Sequence, residues 1–335
     1  MSQSHRRVGT AGGVSRETSS AEVSRETVLD TPIAREAMQA VHVMNIHRER
    51  WPKPPDTRVI TVANQKGGVG KTTSAVNIAA AMALHGLRVL VIDLDPQGNA
   101  STALSVDHSV GTPSMYDVLL GDGKLADVVA SVEISDTLFC APATIDLAGA
   151  DLELASQVSR EYRLQRALTG LLDGAQDLDY IFIDCPPSLG LLTLNALVGA
   201  REVLIPIQCE YYALEGLAQL LSSIEMVKSY LNTGLIVSTV LLTMYDSRTR
   251  LADQVAADVR AHFGDLVIDS VIPRNVRVSE APGFGQTVMT YDAGSRGAVG
   301  YLEAARELAE RGRDGHAPAG QRAEAGQQSN DEETS

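Results

Sequence analysis

A chain of 335 residues with 44% apolar side chains is long enough for one large α/β domain or two small ones around a buried core, which excludes disorder throughout. Its 28 Lys and Arg face 42 Asp and Glu, a net charge of -14, so charge alone does not favour nucleic acid and any such contact must be a local patch. Three cysteines, Cys140, Cys185 and Cys209, stand far apart with no CxxC pairing, no apolar run reaches the roughly 18 residues of a spanning helix, and the start MSQSHRRVG lacks a secretory stretch; a soluble cytoplasmic protein without disulfides or zinc is expected.

Residues 1–57 are rich in Ser, Thr and Arg, end in the turn-prone WPKPPD (Trp51 to Asp56) and show no sustained hydrophobic period, which predicts a disordered arm. Within it EAMQAVHVMNIHRER, Glu36 to Arg50, carries Met38, Val41 and Met44 at the spacing of a short helix. From Arg58 onward the β-rich runs RVITVA, RVLVIDLD, TLFCAP, YIFIDCPP, EVLIPIQ, LIVSTVLLT and LVIDSVIP are separated by helical stretches. Near-continuous apolar strands alternating with helices predict an α/β fold, a doubly wound, mostly parallel sheet with helices on both faces, spanning 58–311. The tail, 312–335, is rich in Gly, Ala and Gln, ends in Asp331, Glu332 and Glu333, and is expected to be disordered and acidic.

Ligands of such sheets bind at the carboxyl ends of the strands, and the motifs that carry chemistry follow strands here. Directly after RVITVA comes NQKGGVGKTTS and then a long helical stretch. Strand, glycine loop and helix N-terminus is the arrangement that cradles phosphates: Gly67, Gly68 and Gly70 let successive N–H groups approach phosphate oxygens, and the helix dipole adds to the attraction. Lys71 is placed to reach the β- and γ-phosphates and Thr72 to ligate Mg2+, within a nucleotide loop running through Lys66, Gly67, Gly68, Val69, Gly70, Lys71, Thr72 and Thr73. The general pattern GxxxxGK[ST] fails at its first position, where Gln65 stands, and Lys66 is an additional lysine. The next strand ends in VLVIDLDPQGNAST, with Asp93 and Asp95 on one alternate-residue face at the mouth of the sheet, where two carboxylates suit a metal and a water. In YIFIDCPPSLG a third acid, Asp184, follows four hydrophobic residues in the Walker B position that holds Mg2+, and Pro186 and Pro187 stiffen a loop suited to sensing the γ-phosphate. Cys185 reads as a small buried side chain, since no His is near in sequence to activate it. No NKxD element accompanies these motifs, so ATP is expected rather than GTP.

The lysine-bearing loop resembles the deviant Walker A motif of the ParA/MinD group of ATPases, and ANQKGGVGKTT, DLDPQGNAST, DCPPSLG, EYYALEGL, IPRNVRVSEAP and YDAGSRGAVGYLEAARELAER, in that order from about Arg58 to Arg311, resemble the chromosomal Soj/ParA branch. The resemblance implies that Lys66 crosses a dimer interface to the partner's nucleotide, so that a homodimer sandwiches two ATP. It implies that Asp95 orients or activates the attacking water, that Asp93 supports the Mg2+ and water network, and that Pro273 and Asn275 border the adenine. It further implies sequence-independent binding of double-stranded DNA by the ATP dimer, with Arg248, Arg250, Arg274 and Arg277 as the basic candidates. A ParB-like centromere-binding protein would stimulate hydrolysis, in a cytoplasmic, nucleoid-associated protein. Gly283 departs from the serine of many relatives, and the arm has no counterpart in minimal members. A membrane-bound MinD-like protein would end in an amphipathic helix, which the acidic tail does not provide. A non-catalytic, nucleotide-locked scaffold or polar tether is the reading from a different class.

The arm holds VSRET twice, Val14 to Thr18 and Val23 to Thr27. The codons GTT TCA CGT GAA ACN spell both VSRET and the palindrome GTTTCACGTGAAAC, which resembles the site read by ParB. An embedded pair of DNA sites would explain a repeat without structural periodicity; a small interaction motif or chance is the protein-level alternative.

Overall fold

Every β-rich run of the sequence becomes a strand of one sheet. The computed structural model describes residues 49–121, 123–174, 177–211 and 217–313. The VSRET copies, most of the helical segment Glu36 to Arg50, and the tail past Arg313 lie outside the described residues.

The first half of the chain supplies β1 (Arg58–Val62), α1 (Lys71–Leu84), β2 (Val89–Asp93), α2 (Asn99–Ala103), α3 (Met115–Leu120), α4 (Leu125–Val128), β3 (Ala130–Ser131) and β4 (Leu138–Ala141). Next come α5 (Ala150–Ala155), α6 (Arg163–Asp173), β5 (Tyr180–Asp184), α7 (Leu191–Gly199), β6 (Glu202–Gln208) and α8 (Leu217–Tyr230). The chain then adds β7 (Ile236–Tyr245), α9 (Arg250–Phe263), β8 (Val267–Pro273), α10 (Val276–Glu280), α11 (Val288–Tyr291) and α12 (Arg296–Arg313).

The strand order is β3-β4-β2-β5-β1-β6-β7-β8. All neighbours pair in parallel except the two-residue β3, which runs antiparallel to β4 at the edge. β1 lies between β5 and β6, and β2 lies beyond β5, so the crossovers from β1 and from β5 diverge and leave a crevice above the carboxyl ends of β1, β2 and β5. Register aligns the ends of those strands: Asp184 pairs with Val62 on one side and Asp93 on the other.

Each central strand feeds two cores. In β1, Val59 joins the layer of α3, α6, α7, α8 and α9, while Ile60 and Val62 join that of α1 and α12. The alternation is the two-residue period of a strand covered on both faces. Helix α1, Ala-rich and buried on nearly every side, is a central helix rather than a surface one.

The folded unit begins earlier than the arm boundary at residue 57. Trp51 is 6% exposed, its ring stacks on His85 with centroids 4.0 Å apart, and its backbone N–H donates to the His85 carbonyl at 3.2 Å. Lys53 pairs with Asp179 at 3.1 Å, and the Thr57 hydroxyl donates to the Leu178 carbonyl at 2.6 Å. A lone indole anchors this stretch; hydrophobic periodicity does not register a single residue, but an aromatic of that size gains more from burial than from water.

Candidate active site

The loop between β1 and α1 takes the backbone its glycines permit. Gly68 (φ 74°) and Gly70 (φ 89°) both lie in the left-handed region, and Gly67 and Gly68 have open space where a Cβ would stand. The loop is fastened below and beside: Asn64 accepts from the Lys66 N–H at 3.0 Å and donates to the Pro206 carbonyl of β6 at 2.8 Å, and the Thr243 hydroxyl of β7 donates to the Val69 carbonyl at 2.8 Å. The side chain of Val69 is buried in this support.

Lys71, the first residue of α1, is buried, and its ammonium donates to the Lys66 carbonyl at 3.4 Å. Burial lowers its pKa; the charges of Asp184, Cys185 and Asp95 act against that. Asp184, at the end of β5, is fully buried, and neither carboxylate oxygen has a hydrogen bond of good geometry, although the Thr72 hydroxyl lies near enough to act on the carboxylate. Burial, then the charge of Asp93, pushes its pKa well above the ordinary carboxylate range, with Thr72 and Lys71 acting in the other direction.

Asp93 and Asp95, which the sequence sets on one alternate-residue face, differ in what holds them. Both oxygens of Asp93 are occupied by protein donors: Oδ1 accepts from the Asp95 N–H at 3.1 Å, and Oδ2 from the Ser101 N–H at 2.9 Å and hydroxyl at 2.7 Å. Burial pushes its pKa up to about 6, against the pull of the Ser101 bonds. Asp93 thus braces the turn from β2 into α2. Asp95 stands beyond the strand end, accepts from the Gln97 N–H at 3.0 Å through one oxygen, and lines the cleft.

The cleft has a volume of about 480 Å³ and is lined by Gly67, Gly68, Gly70, Lys71, Thr72, Thr73 and Asp95, with Gln97, Asn99 and Thr102 of the β2–α2 segment and Pro187 of the loop after β5. Met244 and Pro282 close its far wall. The sequence reading gave neither a role, although Pro282 ends the motif IPRNVRVSEAP and Met244 directly follows the run LIVSTVLLT; Met244 has φ 52°, a left-handed conformation unusual for a non-glycine residue. Pro273 and Asn275, expected beside a base, are not among the lining residues. Asn275 caps α10 by accepting from the Arg277 N–H at 2.8 Å, and Pro273 lies so near Gly300 that a Cβ there would come within 3.0 Å of its ring. Gly283 has open space around it, so a serine would fit there. Cys185 is fully buried and its thiol pKa is raised by burial, as expected of a packing residue. Among the described residues, no three His, Cys, Asp or Glu side chains are arranged to hold a metal.

Lys66 stands outside the cleft lining, with its ammonium 3.5 Å from Glu210. The four candidate arginines are exposed, and three are already paired. Arg248 grips Asp246 through two bonds of 2.8 and 2.7 Å, Arg274 reaches Glu210 at 3.2 Å, and Arg277 meets Glu280 at 3.0 Å and Asp292 at 3.4 Å. Arg250, in the first turn of α9, has no carboxylate partner among the described residues. No helix of the described residues is long and apolar enough to cross a membrane.

A glycine loop between a central parallel strand and a buried helix, with an ammonium and an unpaired carboxylate beneath it, defines the phosphate-binding class of α/β nucleotide hydrolases. A model of the AAA domain family matches residues 57–237. The sporulation initiation inhibitor protein Soj of Bacillus subtilis (strain 168) is 51% identical over 255 residues, 76% of this chain and 99% of that protein. The chromosome partitioning protein ParA of Caulobacter vibrioides is 50% identical over 262 residues, 78% of this chain and 97% of that one. Among solved structures, the cobyrinic acid a,c-diamide synthase from Mycobacterium smegmatis, with bound ADP and magnesium, aligns with a TM-score of 0.67 at 40% identity over 78% of this chain and 97% of that chain. The chain belongs to the ParA/Soj family of chromosome-partitioning ATPases.

Proposed function

We propose that this protein is an ATP-driven DNA-partition ATPase whose folded unit extends from about Trp51 to Arg313. ATP with Mg2+ occupies the loop Lys66 to Thr73, two protomers close around two nucleotides, and the dimer holds double-stranded DNA without reading its sequence. A ParB-like centromere-binding protein then speeds the hydrolysis that releases it, and the protein resides in the cytoplasm on the nucleoid.

One observation carries the nucleotide assignment: both oxygens of Asp184 are buried without a well-formed hydrogen bond, beside the Thr72 hydroxyl, at the foot of a glycine loop that holds a buried lysine. A buried carboxylate left unpaired is destabilising, and such a group persists where a ligand satisfies it. The donors suit magnesium, since the Thr72 hydroxyl and the Asp184 carboxylate are hard oxygens, and an ion held by few carboxylates completes its octahedron with phosphates and water. When bound, the ion neutralises charge that develops on the transferred phosphoryl group.

The chain's own residues do the rest. N–H groups of the loop from Gly67 to Thr73 and the start of α1 receive phosphate oxygens, and Lys71 supplies the charge for the β- and γ-phosphates. Asp95 lines the cleft and orients the attacking water, held in place because its backbone N–H is bound by Asp93. Pro187, stiffened by Pro186, brings the loop after β5 to the same cleft, where it senses the terminal phosphate. Met244 and Pro282, which line the cleft, flank the base, and Pro273 and Asn275 border it in the family arrangement.

The DNA-binding reading rests on Arg250. A cation in the first turn of a helix opposes the helix dipole, and among the described residues no carboxylate is paired with this one, Asp253 of the same turn being bonded to Tyr245 instead, so an incoming phosphate is favoured there. Arg248, Arg274 and Arg277 contribute only after exchanging carboxylates for phosphates, which makes the binding weak in one protomer, stronger in two, and steeply dependent on salt. ATP turnover with and without DNA and a ParB-like protein tests the proposal. Acceleration when both are present is expected; equal turnover under all conditions would favour the non-catalytic scaffold.

A further inference from the structure

The lysine assigned to the partner's nucleotide is already engaged at home. The Lys66 ammonium lies 3.5 Å from Oε2 of Glu210, the second residue after β6. Glu210 is itself held in position: its Oε1 accepts from the Gln208 amide at 2.6 Å and from Arg274 at 3.2 Å, leaving Oε2 toward the lysine. The backbone of Lys66 is fixed to the same strand through Asn64, which accepts from the Lys66 N–H and donates to the Pro206 carbonyl. Loop and acceptor are thus both mounted on the end of β6, from which the flexible stem of Lys66 can swing away.

We infer that Glu210 is a positioning residue that parks Lys66 on its own protomer and so sets the threshold for ATP-dependent pairing of two copies; the inference rests on the cross-subunit role proposed for Lys66. Both partners are more than a third exposed, with side-chain exposures of 37% and 45%, so the ion pair is weak and readily exchanged. A triphosphate on the facing protomer carries more negative charge than one carboxylate and outcompetes it; without a triphosphate, the lysine returns to Glu210. Each dimer must open two such pairs, so a modest penalty enters the dimer constant twice.

Glu210→Gln keeps the shape and the contacts open to Gln208 while removing the charge that holds Lys66. Because the substitution also frees Arg274, the assay omits DNA. In sedimentation of the full chain with a non-hydrolysable ATP analogue and magnesium, the variant is expected to dimerise with a dissociation constant about five- to tenfold lower than the parent. The same gain should vanish in a Lys66→Ala background. Trace acetylation of the nucleotide-free protein, read by mass spectrometry, provides a second measurement that does not depend on assembly: Lys66 should become at least about twofold more reactive in Glu210→Gln, with Lys53, paired to Asp179, unchanged as a reference. Unchanged Lys66 reactivity would overturn the parking contact. Changed reactivity with an equal or weaker dimer would overturn its control of assembly. A parent protein that shows no dimer at all, with Lys66 reactivity still altered by the variant, would instead overturn the proposed sandwich and leave the contact standing.

Discussion

The cleft and the arginine-bearing rim hold their charges in opposite ways. Lys71 lines the cleft and Asp184 lies close behind it, within reach of the charge of Lys71 and the hydroxyl of Thr72; both are buried, and neither oxygen of Asp184 has a well-formed hydrogen bond. On the rim, Arg248, Arg274 and Arg277 are exposed and each already holds a carboxylate. Water satisfies an exposed charge at little cost, so pairing there says little about function. A buried charge without a partner has no such relief, and its persistence points to a ligand that supplies one. The contrast makes the cleft a site of tight, geometrically fixed binding and the rim a surface whose affinity must be gathered from many weak exchanges.

The strongest way to break this contrast is to empty the cleft of its ammonium. Lys71→Ala is expected to abolish turnover and to lower ATP affinity by about 100-fold, measured by calorimetry. Near-normal binding would mean that the buried lysine serves the fold alone. Asp95→Ala should leave nucleotide binding and dimers intact while slowing hydrolysis about 100-fold, so that dimers accumulate on DNA; phosphate release and filter binding check both halves. Normal hydrolysis would remove the water-orienting role.

Asp184→Asn separates ligand need from fold need. Removing a carboxyl whose ionisation burial opposes should raise the stability of the nucleotide-free protein by about 1–3 kcal/mol in urea unfolding at neutral and higher pH, a gain that fades toward acid pH, while nucleotide affinity loses its dependence on magnesium. Loss of stability instead would show that the carboxylate is satisfied within the fold. The smallest effects belong to the rim. Arg250→Ala is expected to weaken DNA binding about fivefold, whereas Arg248→Ala, whose guanidinium must first leave Asp246, should change it by less than about twofold. Arg277→Glu should lower DNA affinity without altering the dimer constant, and altered pairing would place that residue at the protomer interface.

What the sequence made legible follows the same divide. The strands read clearly because burial on both faces demands continuous apolar runs, and the loop from Lys66 to Thr73 reads clearly because glycine, lysine and threonine are there for reasons of backbone angle and charge. Only the two-residue antiparallel edge strand β3 escaped, being too short to carry a period. The spacing of Asp93 from Asp95 along the chain is visible, but the Ser101 hydroxyl and N–H that meet the second oxygen of Asp93 are not. Trp51 was hidden because its partner, His85, is reached only through the fold. The pairing of Arg274 with Glu210, 64 positions apart, was equally out of reach, since the sequence shows how many charges a surface has but not which of them meet.

The most direct test of the two-protomer sandwich is the mass of the protein in solution, by light scattering, with magnesium and either ADP or a non-hydrolysable ATP analogue. The expected result is 35.7 kDa with ADP and roughly twice that with the analogue. A mass that remains at 35.7 kDa with the analogue, at concentrations where the nucleotide is bound, would contradict it.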